Sequence, residues 1–421
     1  MSLHLPTAAA YGSFVGIADD QWARLFARIV QDSHWVTGDQ LSVMIDNAVR
    51  SVGLTAEVLL VDLAQRVLSP VQPQPLPAVQ IAGTLAGRAY QTEEILAGTD
   101  KRGGRVLWVP VLDGTERVGM LCIGLDDDVV DDPELRRRCW VLSGLVGHIV
   151  MTKLVSSDRL RRLRSNGPLS VPAELLWHLL PPRTFATEQV VITALLEPHD
   201  RVAGDAYDYA VDSNAVELAV FDGIGHDMQA GLITALAITA IRNGRRAGEI
   251  DLAALASRAD DLIVQQPGPL KFVTAVLARL DTETGMLQYL LAGHPPPLLL
   301  RAGRVVKQLD HPQRTPLGVR AVGATGPVVG QEQLEPGDRL LLYSDGITEA
   351  RDERGAFFGE RRLVDFTERA ALNKLPAPET LRRLAAAVLA HQGERLQDDA
   401  TLLMVDWSST AHAQMVPADV G

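Results

Sequence analysis

Four short segments of the chain place an aspartate at the end of an apolar run, usually beside a glycine or a second aspartate. The segments are VAGDAYDY, LAVFDGIGHD, LLLYSDGITEA and LQDDATLLMV, and the acidic residues in question are Asp205, Asp222, Asp345 and the pair Asp398-Asp399. Asp-Gly is a common turn dipeptide, so any one segment alone is expected to be structural. Four such strand ends at one edge of a sheet pair would instead gather carboxylates around a divalent cation. Hard oxygen donors without a neighbouring cysteine suit Mg or Mn better than Zn.

Residues next to these aspartates extend the candidate site. Gly223 follows Asp222, and a glycine there lets a backbone carbonyl approach a metal closely. His226 and His294 are candidates for protonating a leaving serine oxygen, because histidine titrates near neutral pH. For both histidines the more common role is to satisfy local backbone groups. Asp227 either caps the helix that follows or holds a metal-bound water.

Two further polar residues precede or follow Asp205. Arg201 is a candidate contact for a substrate phosphate, and a solvated surface arginine is an equal alternative. Asp208 is a candidate for supporting a metal indirectly, by contacting a residue that binds the metal.

The elements that must position these residues occupy the second half of the chain, from about residue 189 to 407. Short β runs there are interrupted by helices in separate blocks, which predicts packed sheets flanked by helices rather than a parallel doubly wound sheet. The predicted strands are Val190–Leu196, Val216–Phe221, Phe272–Leu280, Met286–Ala292, Pro297–Arg301, Arg339–Tyr343 and Ala400–Val405. The predicted helices are Gln229–Arg242, Asp251–Gln265, Gly359–Arg369 and Pro376–His391.

The first half of the chain predicts a separate α/β domain over 22–131, after an N-terminal tail of residues 1–21. Residues 132–188 predict a helical linker, and 408–421 a C-terminal tail. In the linker, apolar residues recur at helical spacing between Leu135 and Leu160, and a second short helix carries Leu176 and Leu179. We expect the longer stripe to be buried against a second copy, which predicts a homodimer, although packing on its own domain is an equal alternative.

Composition limits the classes of function. The 421 residues include 52 acidic and 40 basic side chains, a formal charge of −12, which disfavours nucleic acid as a partner. Cys122 and Cys139 are the two cysteines, so neither a disulfide scaffold nor a cysteine zinc site is expected. The sequence shows neither a secretory signal nor an apolar run long enough to span a membrane, so we expect a cytoplasmic protein with no membrane partner.

The ordered motifs resemble those of the metal-dependent PPM-type protein serine/threonine phosphatases. The segments that carry the resemblance are Asp205, DGIGHD, LAGHPPPLLLR, LLLYSDGITEARDERGAFFGERRL and DDATLLMV. More specifically, they are similar to the bacterial branch typified by the stage II sporulation protein E and by phosphatases that act on anti-sigma-factor antagonists. Two motifs depart from the family: Ala203 replaces the first glycine of Gly-Gly-Asp, and Asp227 replaces the last glycine of Gly-His-Gly.

This resemblance implies an α+β fold, a four-layered αββα sandwich that holds two Mn or Mg ions at one sheet edge. The implied ligands are Asp205, Asp222, Asp345 and Asp398, with the carbonyl of Gly223; Asp399 is a less favoured substitute for Asp398. The implied reaction is hydrolysis of phosphoserine or phosphothreonine by a water that bridges the two ions, in which Asp205, Asp222 and His226 take part. The implied substrate is a phosphorylated protein, an anti-sigma-factor antagonist.

The N-terminal region resembles a GAF domain, on the order of its elements and the run VPVLDGTERVGMLCIG. The resemblance implies a sensor with a ligand of unknown identity that regulates the phosphatase. An accessory α/β domain of no particular family is the alternative.

Two other functions compete with the enzyme. A pseudophosphatase would grip a phosphoprotein without turnover, but it has no need to keep four mutually repelling carboxylates together. A nucleotide cyclase with a GAF domain also uses paired aspartates and metals, but it leaves LAGHPPP and YSDGITEA unexplained.

Overall fold

The first half of the chain folds around one antiparallel sheet. The computed structural model describes residues 17–72, 76–100, 103–165, 170–197, 204–225, 228–268, 270–319, 328–393 and 396–415. The helices of this half are α1 (Ile17–Ser33), α2 (Leu41–Val49), α3 (Leu85–Thr92), α4 (Pro133–Leu154) and α5 (Asp158–Arg164). Its strands are β1 (Leu54–Val61), β2 (Val67–Pro70), β3 (Val79–Gln80), β4 (Leu96–Thr99), β5 (Arg105–Asp113) and β6 (Glu116–Leu125), in the sheet order β3-β2-β1-β6-β5-β4.

The two faces of this sheet are covered by different helices. Residues of α1, α2, α4 and α5 pack with one face in the larger core, and α3 packs on the other face. Gly147 brings α4 onto β5: a Cβ atom there would lie 1.9 Å from the carbonyl oxygen of Leu112, so only glycine permits this approach. The N-terminus of α4 is capped by Asp132, whose side chain accepts from the amide of Leu135 at 2.7 Å.

The apolar stripe of the linker packs on its own domain, which was the alternative to burial against a second copy. Leu135, Cys139, Leu142, Val146, Ile149 and Leu160 are all buried within the chain's own first core. The stripe also spans two helices, α4 and α5, which are bent by 110°. The homodimer stays a prediction, and the apolar stripe no longer supports it.

In the described part of the chain, no single helix is both long and apolar enough to cross a membrane. The bent pair formed by α4 and α5 passes that test by length and composition alone.

The second half contains two six-stranded sheets. Its helices are α6 (Val171–Leu179), α7 (Met228–Arg246), α8 (Leu252–Val264), α9 (Asp345–Thr348), α10 (Gly359–Leu372) and α11 (Ala377–His391). Its strands are β7 (Thr184–Ala186), β8 (Val190–Glu197), β9 (Asp205–Val211), β10 (Ala215–Gly223), β11 (Val273–Asp281), β12 (Met286–Ala292), β13 (Leu298–Arg301), β14 (Arg304–Gln308), β15 (Gln313–Arg314), β16 (Gly330–Gln333), β17 (Arg339–Tyr343) and β18 (Ala400–Trp407).

One sheet has the order β15-β12-β11-β10-β9, with β16 paired to β12, and the other has the order β14-β13-β17-β18-β8-β7. Alternate residues of both sheets meet in a common core, which includes Val220, Leu342 and Leu403. Helices α7 and α8 pack against the first sheet in a second core, and α10 and α11 pack against the second sheet in a third. The predicted mixed α+β fold is confirmed.

The sequence prediction missed the strand that carries Asp205. Residues 205–211 mix tyrosine with aspartate, and Asp208 at their centre reads as a loop residue. In the structure Asp208 is buried against α7, where it accepts from Arg242 and Arg245, each at 2.5 Å. Asp208 thus lies on the side of β9 that faces α7, where an apolar residue is usual, and it is paired with two arginines of that helix.

Candidate active site

Asp205 and Asp222 lie directly opposite each other on neighbouring antiparallel strands. Asp205 begins β9, Asp222 comes near the end of β10, and the two are register partners. Alternate residues of each strand face the apolar core between the two sheets. Asp205 and Asp222 occupy the next such positions, at the edge of that core. Asp205 is buried, and its Oδ2 accepts from the hydroxyl of Thr401 on the second sheet at 2.8 Å.

The second sheet supplies the other acidic residues from the adjacent ends of β17 and β18. Ser344 follows β17, and its hydroxyl accepts from the amide of Thr401 at 3.0 Å. This bond holds the start of α9, where Asp345 is half-buried, beside the start of β18. Asp398 and Asp399 precede β18; Asp398 is exposed and Asp399 is buried.

A hydrogen bond joins the two sheets at this edge. The amide of Gly204 donates to Asp399 Oδ2 at 2.5 Å. The carbonyl of Gly204 in turn accepts from the amide of Gly223 at 3.1 Å and from the hydroxyl of Thr234 at 2.7 Å. Asp399 therefore holds in place the backbone immediately before Asp205.

The acidic residues are close enough to change one another's protonation. Burial, followed by the charges of Asp222 and Asp399, raises the pKa of Asp205 well above its usual value. Burial, followed by the charges of Asp345 and Asp398, raises the pKa of Asp222 to about 8. Burial and the charge of Asp398 also raise the pKa of Asp345. A cation placed among these carboxylates would favour their ionised forms and offset their mutual repulsion.

The donor set fits a hard divalent cation. Among the residues that the structure describes, no three His, Cys, Asp or Glu side chains already converge as a set of metal ligands. Instead, Asp222 interacts electrostatically with both Asp205 and Asp345. The donors are oxygens, and both cysteines are buried in the other half of the chain, so Mg or Mn is favoured over a soft metal.

The structure thus brings together Asp205, Asp222, Asp345 and the pair Asp398-Asp399. Gly223 ends β10 beside them, and a Cβ there would lie 2.4 Å from Thr234 Oγ1, so a larger residue would not fit. Arg201, His226 and Asp227 lie outside the described residues.

Two predicted candidates take other roles. His294 is buried, its Nδ1 lies 2.7 Å from Thr274 Oγ1, and burial lowers its pKa to about 3. A lowered pKa disfavours the proton-donor role of His294, which stays a prediction. Asp208 faces the opposite side of β9 from Asp205 and pairs with Arg242 and Arg245, so it does not support a metal.

The prediction missed three hydroxyl residues that organise the site: Ser344, Thr401 and Thr234. Two of them are adjacent in sequence to the acidic motifs, in YSDG and DDAT, and each faces inward by strand alternation. That alternation was the available signal for Ser344 and Thr401. Thr234 lies on α7, and nothing local indicates its contact with Gly204.

Comparison with known proteins finds similarity to one family in the second half of the chain. A family model described as stage II sporulation protein E matches residues 212–408, a range that starts after Asp205. The chain is 26% identical over 256 residues to protein IcfG of Synechocystis sp., covering 52% of this chain and 38% of that protein. It is 26% identical over 254 residues to phosphoserine phosphatase RsbU of Bacillus subtilis, covering 56% of this chain and 69% of that protein.

Solved structures are similar to about half of the chain. The SiaA-PP2C domain of Pseudomonas aeruginosa is 27% identical, with 51% of this chain and 85% of that chain covered and a TM-score of 0.46. The RsbU and RsbW domains of a Mycobacterium tuberculosis protein are 29% identical, with 52% and 60% covered and a TM-score of 0.44. Residues 212–408 are thus similar to the family described as stage II sporulation protein E.

Proposed function

We propose that this chain is a metal-dependent protein serine/threonine phosphatase whose second half is a four-layered αββα sandwich. The single observation that carries the proposal is the pair of Asp205, which is buried, and Asp222, which is partly buried, opposite each other and within reach of the charge of Asp345. Burying several like charges together is costly in the absence of a cation. A cation between them is therefore the physical reason for the arrangement.

Two Mn or Mg ions would be held by Asp205, Asp222, Asp345, Asp398 and the carbonyl of Gly223. When bound, such ions acidify a water for in-line attack and offset the charge of a phosphate. The chain's own contribution is positioning. Thr401 orients Asp205, Ser344 fixes the start of α9, and the Asp399–Gly204 hydrogen bond sets the entry to β9.

Asp399 is a weaker candidate for a ligand than Asp398. One of its oxygens is already occupied by the amide of Gly204, and the side chain is buried. Asp398 is exposed, and its charge raises the pKa of both Asp222 and Asp345. These contacts favour Asp398 as the residue that faces the ions.

The substrate we propose is a phosphorylated protein of the anti-sigma-factor antagonist class. Support comes from the similarity to phosphoserine phosphatase RsbU, which extends over 56% of this chain. We also propose that the N-terminal α/β half is a GAF-like sensor that regulates the phosphatase, and that the protein works in the cytoplasm.

The competing proposal is a phosphoprotein-binding module without turnover. The test is incubation with a phosphorylated antagonist protein in the presence of Mn, followed by intact mass measurement. Loss of one phosphate, abolished by chelation, supports the enzyme. Stable binding of the phosphoprotein with no mass change at any Mn concentration would establish the binding module instead.

A further inference from the structure

A cavity of about 690 Å³ lies where the two halves of the chain meet. Its walls come from the C-terminal end of α4, from α5 and α6, and from the segment Pro181-Pro182-Arg183. The volume is within the range of about 300–1,000 Å³ that small-molecule sites occupy. The carboxylates of the candidate active site do not line it.

The walls combine apolar surface with positive charge. Met151, Leu154 and Trp177 supply much of the apolar lining, and four arginines border the same space. They are Arg161, Arg162, Arg164 and Arg183. Arg162 is exposed, whereas Arg164 and Arg183 are buried.

Two buried donors on these walls lack an acceptor. Neither Arg164 Nε nor Trp177 Nε1 has a hydrogen-bond partner within the described ranges. The rest of the Arg164 guanidinium is weakly engaged: Nη2 lies 3.5 Å from Glu116 Oε1, and Nη1 lies 3.7 Å from Met151 Sδ. A buried donor without an acceptor destabilises the folded protein, so two of them on one wall point to an acceptor that binds there.

The carboxylate nearest to Arg164 is already committed elsewhere. Glu116 Oε1 accepts from Arg183 Nε at 3.2 Å, and Glu116 Oε2 accepts from the amide of Thr184 at 2.9 Å. Glu116 therefore serves Arg183 and Thr184 more closely than it serves Arg164 Nη2, and Arg164 Nε stays without an acceptor among the described residues. The acceptor that would do so has to come from outside these groups.

We propose that this cavity binds a small amphiphilic organic acid. Its carboxylate accepts from Arg164, whose planar fork matches a carboxylate. Its apolar body lies along Met151, Leu154 and the ring of Trp177, and the indole N–H of Trp177 donates to a second oxygen. Arg162 at the exposed margin adds positive charge that favours the acid over a neutral analogue.

The probe is decanoate, with decanol as its uncharged analogue, titrated into the full chain by isothermal calorimetry. Decanoate is expected to bind at least about tenfold more tightly than decanol, because a hydrogen bond to a charged group contributes about 1.5–3 kcal/mol. Arg164→Lys keeps the positive charge and removes the planar fork, and Trp177→Phe keeps an aromatic ring and removes the indole donor. Both are expected to weaken decanoate binding more than decanol binding.

The matched control is Arg66→Gln. Arg66 pairs with Glu197 at 2.9 Å between the same two halves of the chain, but it does not line the cavity. Decanoate binding is expected to survive this change, which separates a local effect from a general effect on the junction. Circular dichroism spectra of all variants should match that of the unmodified chain.

Equal affinities for decanoate and decanol would overturn the proposal, as would decanoate binding that resists both Arg164→Lys and Trp177→Phe. Absence of decanoate binding would also overturn it. None of these results depends on phosphate hydrolysis. The outcome is therefore separate from that of the proposed phosphatase activity.

Discussion

The amide of Gly204 donates a hydrogen bond to Asp399 Oδ2 at 2.5 Å, across 195 positions of the chain. The bond connects the start of β9 to the start of β18, so it joins the two sheets at the edge where the acidic residues gather. Asp399 also accepts from the amide of Asp205, at 3.4 Å. Its neighbour Asp398 is exposed and makes no comparable contact with β9. Two adjacent aspartates thus take different roles.

Replacing each member of this pair should produce different defects. Asp398→Ala is expected to weaken Mn activation by about tenfold or more with little effect on stability, because it removes an exposed proposed ligand. Asp399→Ala is expected to lower the free energy of unfolding by about 1–3 kcal/mol, because it leaves the Gly204 amide without its acceptor. Urea denaturation and Mn titration of activity measure the two effects. A loss of stability in Asp398→Ala together with weakened Mn activation alone in Asp399→Ala would contradict these roles.

Asp222→Asn should abolish catalysis and stabilise the metal-free protein. Activity is expected to fall by about two orders of magnitude or more, because transition-state stabilisation by a bound metal amounts to several kcal/mol. Without metal, removal of one of several repelling carboxylates should raise the melting temperature. Asp365→Asn, on the exposed face of α10, is the control and should change neither quantity. A variant that loses activity and stability together would indicate a structural role for Asp222.

Two glycines of α4 should respond oppositely to alanine. Gly147 faces the carbonyl oxygen of Leu112, which a Cβ would approach to 1.9 Å, whereas a Cβ at Gly144 has nothing within 4 Å. Gly144→Ala is expected to stabilise the protein by about 0.5–1 kcal/mol. Gly147→Ala is expected to destabilise it by about 1–3 kcal/mol, the usual cost of overpacking. Equal effects in thermal denaturation would show that α4 does not pack closely on β5.

Glu93 should make stability depend on pH. Burial raises its pKa from 4.5 to about 7, and the charge of Arg117 only partly opposes this shift. The folded-state pKa of Glu93 is higher than its unfolded-state pKa. The stability that Glu93 contributes is therefore fully present below about pH 4.5 and is lost as pH rises to about 7. Glu93→Gln should therefore raise the unfolding free energy at pH 8 by up to about 3 kcal/mol, and leave it unchanged at pH 4.

The control for this effect is Glu94→Gln, since Glu94 is exposed next to Glu93. It should not alter the pH profile of urea denaturation. A Glu93→Gln protein that parallels the unmodified chain at every pH would show that Glu93 is not the source of the dependence.

The apolar strands and the order of the acidic motifs were readable from sequence, because each motif adjoins a strand of clear periodicity. The predicted strands Met286–Ala292 and Arg339–Tyr343 coincide with β12 and β17. Asp205 is at the start of its strand and Asp222 near the end of the next, and antiparallel pairing places them side by side. That pairing is a long-range property, which local periodicity does not report.

Other features depended on contacts between distant residues. The stripe on α4 and α5 is amphipathic whether a second copy or the chain's own sheet covers it, so its partner could not be deduced from the pattern. The strand β9 was hidden because its buried carboxylate, Asp208, is neutralised by arginines of α7. The difference between Asp398 and Asp399 likewise depends on Gly204, which is remote in sequence.

The central claim is that the coupled aspartates hold metal ions for phosphate-ester hydrolysis. The most direct measurement is the initial rate of phosphate release from a phosphoserine protein, with Mn, with chelator, and with chelator followed by excess Mn. The account predicts turnover with Mn, none with chelator, recovery on adding Mn back, and no turnover by Asp345→Asn under any of these conditions. Release that persists under chelation, or that Asp345→Asn supports at the unmodified rate, would contradict it.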